Sequence, residues 1–296
     1  MNNIIRCRET LSEHSFPVNT IIETVSGCNL SCVMCPQRTM RRERRKIDFG
    51  LWKKLIDECA EASTVWPSLM GEFMTLGECA IKMTEYAKAK NTRICINTNG
   101  ICDSTVVREI VLLGVDEIYF SIDAISPETY DKIRVGGNIN TVTENVHTAL
   151  AFKNKHQNIY VQFIDVNENK HEKDAFIEHW KDYDVIVKIK PVLNWGSEDI
   201  CGGETKEVSR FACPWLTRHA LVISDGRMIQ CDSDYEGTFS PGDVNKNSIE
   251  SIWNGELKKR RNKHWNGNYD FEPCKNCTDW CVGRSCYYKN GKEIQQ

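Results

Sequence analysis

Between residues 20 and 192 two hydrophobic patterns alternate along the chain. Runs at 20–26, 65–72, 92–100, 116–124, 159–166 and 185–192 are dense in β-branched and aromatic residues and end on turn residues, which predicts six buried strands. The stretches 49–62, 78–90, 103–114, 139–155 and 172–182 carry apolar residues at helical spacing, with Asp103 suited to an N-cap and Gly114 to a C-terminal stop. Repeated strand and helix units with short links predict a parallel sheet covered by helices, and six units predict an open, partial (β/α)6 barrel. Ligands of such folds gather where the strands end. Four of those ends are unusual: a cysteine triple after the first strand, Gly71-Glu72 after the second, Thr98 to Gly100 after the third, and Ser121 to Ala124 at the fourth.

Beyond residue 193 glycine and asparagine increase and helical stretches shorten. The expected organisation is an N-terminal extension over 1–19, the barrel over 20–192, an exposed linker over 193–204, and a small cysteine-rich unit over 205–296. A hairpin is predicted over 220–232, turning at Asp225-Gly226.

Composition changes this picture in one respect. The 296 residues are 41% hydrophobic with a net charge of −3, which gives no general reason to expect nucleic acid, and no apolar run is long enough to span a membrane. The polar start, without an apolar signal core, points to the cytoplasm. Fifteen cysteines, however, exceed what packing asks for, and a reducing compartment disfavours disulfides. Metal or redox chemistry is what remains. Cys59, Cys79, Cys95 and Cys102, scattered singly in apolar or helical contexts, read as buried small hydrophobes.

Cys28, Cys32 and Cys35 form a C-x3-C-x2-C triple, an odd number for a disulfide pair or a closed zinc site. Three thiolates on a four-iron cubane leave one iron with an open position. This triple, the Gly71-Glu72 pair and the Ser121-Ile122-Asp123 strand end resemble the radical S-adenosylmethionine (SAM) superfamily, and the stretch 120–137 resembles its SPASM or twitch branch. The resemblance implies that Cys28, Cys32 and Cys35 hold three irons while SAM chelates the fourth. It implies that Glu72 and the Gly71 backbone hold the SAM ammonium, that Ser121 and Asp123 lie near the ribose or methionine, and that Arg134 reaches the methionine carboxylate. Asn167 becomes a further SAM contact, and Met34, at a position often aromatic in the superfamily, packs on adenine.

Cys213, Cys231, Cys274 and Cys277, spaced C-x17-C, a gap of 42, then C-x2-C, resemble the twitch domain and its single auxiliary 4Fe-4S cluster; a four-thiolate zinc site is the alternative. The next cysteines, Cys281 and Cys286, depart from the full SPASM spacing and read as spare thiols, candidate hydrogen-atom donors to a substrate radical. The expected cofactors are therefore SAM and two 4Fe-4S clusters.

The function implied is hydrogen abstraction from a sugar, aminocyclitol or aminoglycoside-like molecule, as in butirosin-pathway dehydrogenases and neomycin epimerases, with a flavodoxin or ferredoxin type electron donor. A peptide or protein maturase is the alternative, disfavoured by the short stretch before the first strand. A non-catalytic iron–sulfur carrier, from a different class, would not need Glu72, Asp123 and Arg134. The basic runs 38–46 and 258–265 read mainly as solvated, binding of an acidic substrate or docking of an acidic flavodoxin being the alternative for the first, and Trp195 and Trp215 read as packing.

Overall fold

The structure, a computed structural model, describes residues 3–195, 209–280 and 285–295. After α1 (Asn3–Glu9), units alternate as β1 (Asn19–Ile22), α2 (Phe49–Cys59), β2 (Thr64–Trp66), α3 (Glu78–Ala89), β3 (Cys95–Thr98), α4 (Ser104–Leu112), β4 (Glu117–Ser121), α5 (Pro127–Ile133), α6 (Ile139–Phe152), β5 (Asn158–Asp165), α7 (Lys173–Trp180) and β6 (Ile186–Pro191). There follow α8 (Pro214–Arg218), β7 (His219–Val222), β8 (Arg227–Ile229), β9 (Gly242–Asp243), α9 (Ile249–Asn254), α10 (Glu256–Trp265), β10 (Cys286–Lys289) and β11 (Lys292–Ile294). The six expected strands and five expected helices are present. Asp103 caps α4 by accepting the Thr105 N–H at 2.8 Å, and Gly114, at φ +82°, stops it in a conformation that suits glycine. The second strand is shorter than the pattern suggested because Pro67 cannot donate to a ladder.

β1 pairs with β2 in parallel, and β3 to β6 run parallel in sequence order, with a single bridge from Val65 to Ile94 joining the two sheets. This is a partial barrel. Its open edges are taken by the C-terminal third: β7 lies parallel on β1, and β10 antiparallel on β6. The hairpin β7–β8 continues one sheet while β10–β11 closes the other.

Strand alternation sorts the residues into two environments. Outward side chains meet the helices in a continuous apolar core that includes Trp52, Phe120, Phe163, Phe176 and Trp180, each contributing about 1.5–3 kcal/mol by burial. Inward side chains include polar and aromatic residues beside Ile21 and Ile186. At one level Tyr119 stacks on Tyr160 at 4.0 Å beside Ile186, with Trp66 and Tyr287 packed against them. One level nearer the strand ends Ser121, Gln162 and Lys188 lie side by side. A barrel lined this way is built to hold something polar.

Candidate active site at the strand ends

The loop after β1 is fastened before any cofactor is considered. The Ser31 and Val33 N–H groups donate to Val135 and Ile133, at 2.9 and 3.0 Å, and Asn99 reaches the Cys28 sulfur at 3.6 Å. Gly71 must be glycine because its backbone lies against this loop, and a Cβ would sit 2.0 Å from the Val25 carbonyl. The Glu72 N–H donates to Gly27 at 3.0 Å, tying the second strand end to the first.

Glu72 is buried, and its carboxylate accepts from the Met74 N–H (3.0 Å), the Thr98 hydroxyl (2.9 Å) and the Asn99 N–H (2.7 Å). A carboxylate has about four acceptor sites, so one is left for a ligand. Burial raises its pKa, while these three donors and the Arg134 charge work the other way. Arg134 donates from Nε to Asp123 at 2.7 Å and from Nη1 to the Cys32 sulfur at 3.5 Å. Burial opposes its charge, but Asp123 and Cys32 more than offset that and hold it protonated.

One cavity of about 270 Å³ is lined by Cys28, Cys32, Cys35, Met34, Gly71, Glu72, Ser121 and Arg134. Eight of the residues singled out from the sequence thus share one wall. Asp123 is behind it, buried, at φ +65°, and acts on the cavity through Arg134. Asn167 is exposed and absent from the wall; the buried asparagine of that turn is Asn169, which donates to the Asp123 and Ile164 carbonyls. Trp195 and Trp215, read as packing, both line the cavity, and the Trp195 indole donates to the Met34 carbonyl at 3.0 Å.

A second cavity of about 330 Å³ lies deeper and shares Ser68, Asn97, Gln162, Lys190 and Trp215 with the first. Lys188, Arg218, Trp66 and Tyr287 complete much of its wall. The sequence reading passed over Lys188 and Lys190, yet two lysines at i and i+2 in a buried strand are a signal for inward-facing charge. Ser285 and Tyr287 line this cavity but Cys286, between them, does not. Cys281 lies outside the described residues.

The three loop thiols suit iron. Burial pushes Cys28 up to about 11 and raises Cys35, so ionisation there awaits a cationic partner. The second set is enclosed. Cys213 caps α8, Cys231 stands two residues beyond β8 at the head of a 3-10 turn, and Cys274 and Cys277 share a turn. Burial raises Cys231 well above the usual thiol range, and the other three cysteines raise it further. Gln230 donates to the Cys274 sulfur at 2.9 Å and the Asp279 N–H to Cys277 at 3.3 Å. His264 accepts the Cys213 N–H on Nδ1 at 3.2 Å, which leaves its Nε2 proton facing Cys274 at 3.2 Å. No three described His, Cys, Asp or Glu side chains form a cage for a single metal ion. Thiolates on a cubane bind separate irons, and both sets have the cysteine chemistry for that.

The basic runs are less solvated than expected. Arg42 forms a buried ion pair with Glu23 and donates to the Tyr235 carbonyl, while the Arg41 and Arg42 N–H groups donate to Glu236. In α10, Arg261 stacks 3.7 Å over Trp253 and His264 faces the cysteines. Of the single cysteines, Cys59 and Cys95 are buried, Cys102 is half-buried and Cys79 is exposed.

Comparison with known proteins agrees with this geometry. The family model described as the radical SAM superfamily matches residues 22–176, and SPASM, an iron–sulfur cluster-binding domain, matches 213–278. The chain is 34% identical over 95 residues to the GTP 3′,8-cyclase of Limosilactobacillus fermentum, covering 32% of this chain and 28% of that protein. It spans a third or less of the first two curated relatives it matches. Among solved structures, BtrN in complex with AdoMet and 2-DOIA superposes with a TM-score of 0.62 at 17% identity, over 90% of this chain and 94% of that one. Streptococcus suis SuiB bound to precursor peptide SuiA gives 0.68 at 10% identity, over 94% and 73%. At such identities the likeness is one of fold. The cysteine loop, the cavity behind it and these matches together place the chain in the radical SAM superfamily, as an enzyme with a SPASM domain whose cofactors are SAM and 4Fe-4S clusters.

Proposed function

We propose that the enzyme abstracts hydrogen from a ring carbon of a sugar, aminocyclitol or aminoglycoside-like molecule, leading to epimerisation or alcohol dehydrogenation. The observation that carries this reading is the pair of joined cavities inside the barrel, of about 270 and 330 Å³, the size range of small-molecule sites. When bound, SAM on its cluster supplies a 5′-deoxyadenosyl radical that takes a hydrogen atom from an unactivated carbon. The chain's own residues bind and orient. Glu72 offers its remaining acceptor site to an ammonium, Arg134 a donor to a carboxylate, and Met34 an apolar surface to adenine. Ser68, Asn97 and Gln162 offer hydrogen bonds to ring hydroxyls, and the Tyr119–Tyr160 stack bars water from below.

The two outcomes part after abstraction. A carbinol radical that loses an electron and a proton becomes a ketone, for which an auxiliary cluster held by Cys213, Cys231, Cys274 and Cys277 would supply the one-electron acceptor; one that takes a hydrogen atom on its other face becomes the epimer. Cys281 is the donor proposed for the second route, since Cys286 is not on the cavity wall. The exposed Arg38, Arg41, Arg44 and Lys46 beside the cluster loop suit an acidic flavodoxin or ferredoxin in the cytoplasm. The fold likeness to SuiB bound to its precursor peptide supports a second reading, peptide maturation.

The test is anaerobic. Reduced, reconstituted enzyme with SAM should release 5′-deoxyadenosine, faster with the right sugar, and Cys281→Ala in deuterated water should lose solvent deuterium from an epimer. No 5′-deoxyadenosine from iron-replete enzyme defeats the reading; faster release with peptides than with any sugar moves it to the second.

A further inference from the structure

The deeper cavity has a charge that its own walls do not balance. Lys188, Lys190 and Arg218 line it, and no Asp or Glu is among the described residues that do. Lys188 stands at the level of Gln162 and Ser121. Its neighbours are the faces of Tyr119 and Tyr287, at 4.9 and 5.7 Å, rather than a carboxylate. Lys190, one level higher, is near Asp232 and belongs with the outer cavity's charge balance.

His219 does not supply the missing charge pair. It contacts the Pro214 carbonyl and the Asn19 amide at 3.3 Å each, and burial pushes it down to about 4, so it is neutral. Burial also pushes Lys188 down to about 7, with Lys190 lowering it further and Glu117 acting against them. Lys188 and Arg218 beside an aromatic wall, with no carboxylate on it, describe a pocket that lacks its counter-charge.

We propose that the deeper cavity is an oxyanion subsite, formed by Lys188 and Arg218, for the phosphate or carboxylate of the substrate. This rests on the small-molecule reading above and narrows it: within the ring compounds considered, the enzyme takes an acidic sugar, a sugar phosphate or a sugar acid, rather than a cationic amino sugar. An anion held by Lys188 lies at the level of Gln162, one level above Asn97, and leaves the ring to extend toward the thiol-lined cavity through the residues the two cavities share. The subsite then fixes which ring carbon faces SAM.

Binding can be measured without turnover, which separates this proposal from the one it rests on. Calorimetry on the unreduced, reconstituted full chain with SAM would compare glucose 6-phosphate, glucuronate, glucose and glucosamine. The expected result is that one anionic probe binds at least about tenfold tighter than glucose and glucosamine, with affinity falling as salt rises and as pH is raised through about 7, where Lys188 loses its proton. Which probe it is distinguishes phosphate from carboxylate. Lys188→Met and Arg218→Gln should each remove about tenfold of that preference, and Lys188→Arg should retain it. Removing an unpaired buried charge does not threaten the fold, and iron content checks each variant. Equal binding of glucose or glucosamine, no binding of either anion, or unchanged preference in both Lys188→Met and Arg218→Gln overturns the proposal. Failure of the wild type to make 5′-deoxyadenosine on reduction would instead defeat the underlying function, whatever the calorimetry gives.

Discussion

The two cysteine sets differ less in their ligands than in their surroundings. Cys28, Cys32 and Cys35 stand on a loop at a cavity wall, with Glu72 and Arg134 beside them. Cys213, Cys231, Cys274 and Cys277 sit in a closed nest whose sulfurs already receive hydrogen bonds from Gln230, His264 and the Asp279 N–H. The contrast parallels that between a catalytic zinc site, which keeps an open position, and a structural one, which does not. What surrounds a cluster decides whether it meets a ligand or only passes electrons.

Substitution at each set separates the two roles most strongly. Cys32→Ala should abolish 5′-deoxyadenosine formation, whereas Cys231→Ala should retain slow, substrate-independent formation; each should remove about half of the roughly eight irons expected for two cubanes. Iron analysis and chromatography of the nucleoside check both, and loss of nucleoside formation in Cys231→Ala would erase the distinction. Next in size is the clamp between the regions. Arg42→Met leaves Glu23 buried and unpaired and should cost about 3–5 kcal/mol of stability, read as a lowered denaturation midpoint. An unchanged midpoint would mean that the C-terminal third is held elsewhere.

Glu72→Ala should weaken SAM binding by about 1.5–3 kcal/mol, the value of a charge-assisted hydrogen bond, without loss of iron from the second set. Equilibrium binding of SAM decides it. The smallest effect is expected from His264→Phe: loss of one N–H···S bond should move the auxiliary cluster to a more negative potential and leave the SAM-binding cluster where it was. An EPR-monitored redox titration that moves both clusters equally, or neither, would break the comparison.

The barrel was legible because its strands and helices obey two different periods, and the cysteine triple because its odd count admits few uses. What escaped was decided by three-dimensional neighbours. Trp195 and Trp215 look like packing in a linker-rich stretch but reach the cavity from β6's far end and from α8. The stretch 258–265 looks solvated by its charge, yet Leu257, Arg261 and His264 share one buried face of α10. α5 went unpredicted, although Ser126 followed by Pro127 is a helix start, and the Ser126 hydroxyl accepts the Thr129 N–H as a cap. The hairpin of β7 and β8 was legible from its Asp225-Gly226 turn, but its docking on β1, and that of β10 on β6, leaves no local trace.

The parallel pairing of β1 with β7 also fixes a sequence of events during synthesis. Asn19 lies opposite His219 and Ile22 opposite Val222, so the strand that ends at the cysteine loop gains its second neighbour only after some 200 further residues have been made, a delay of roughly 10–40 s at usual elongation rates. Through that interval the loop's three thiols belong to a nascent chain whose first strand still has one bare edge. The site is therefore finished from the far end of the message, and only iron delivered within that interval would meet a barrel that the C-terminal third has yet to close.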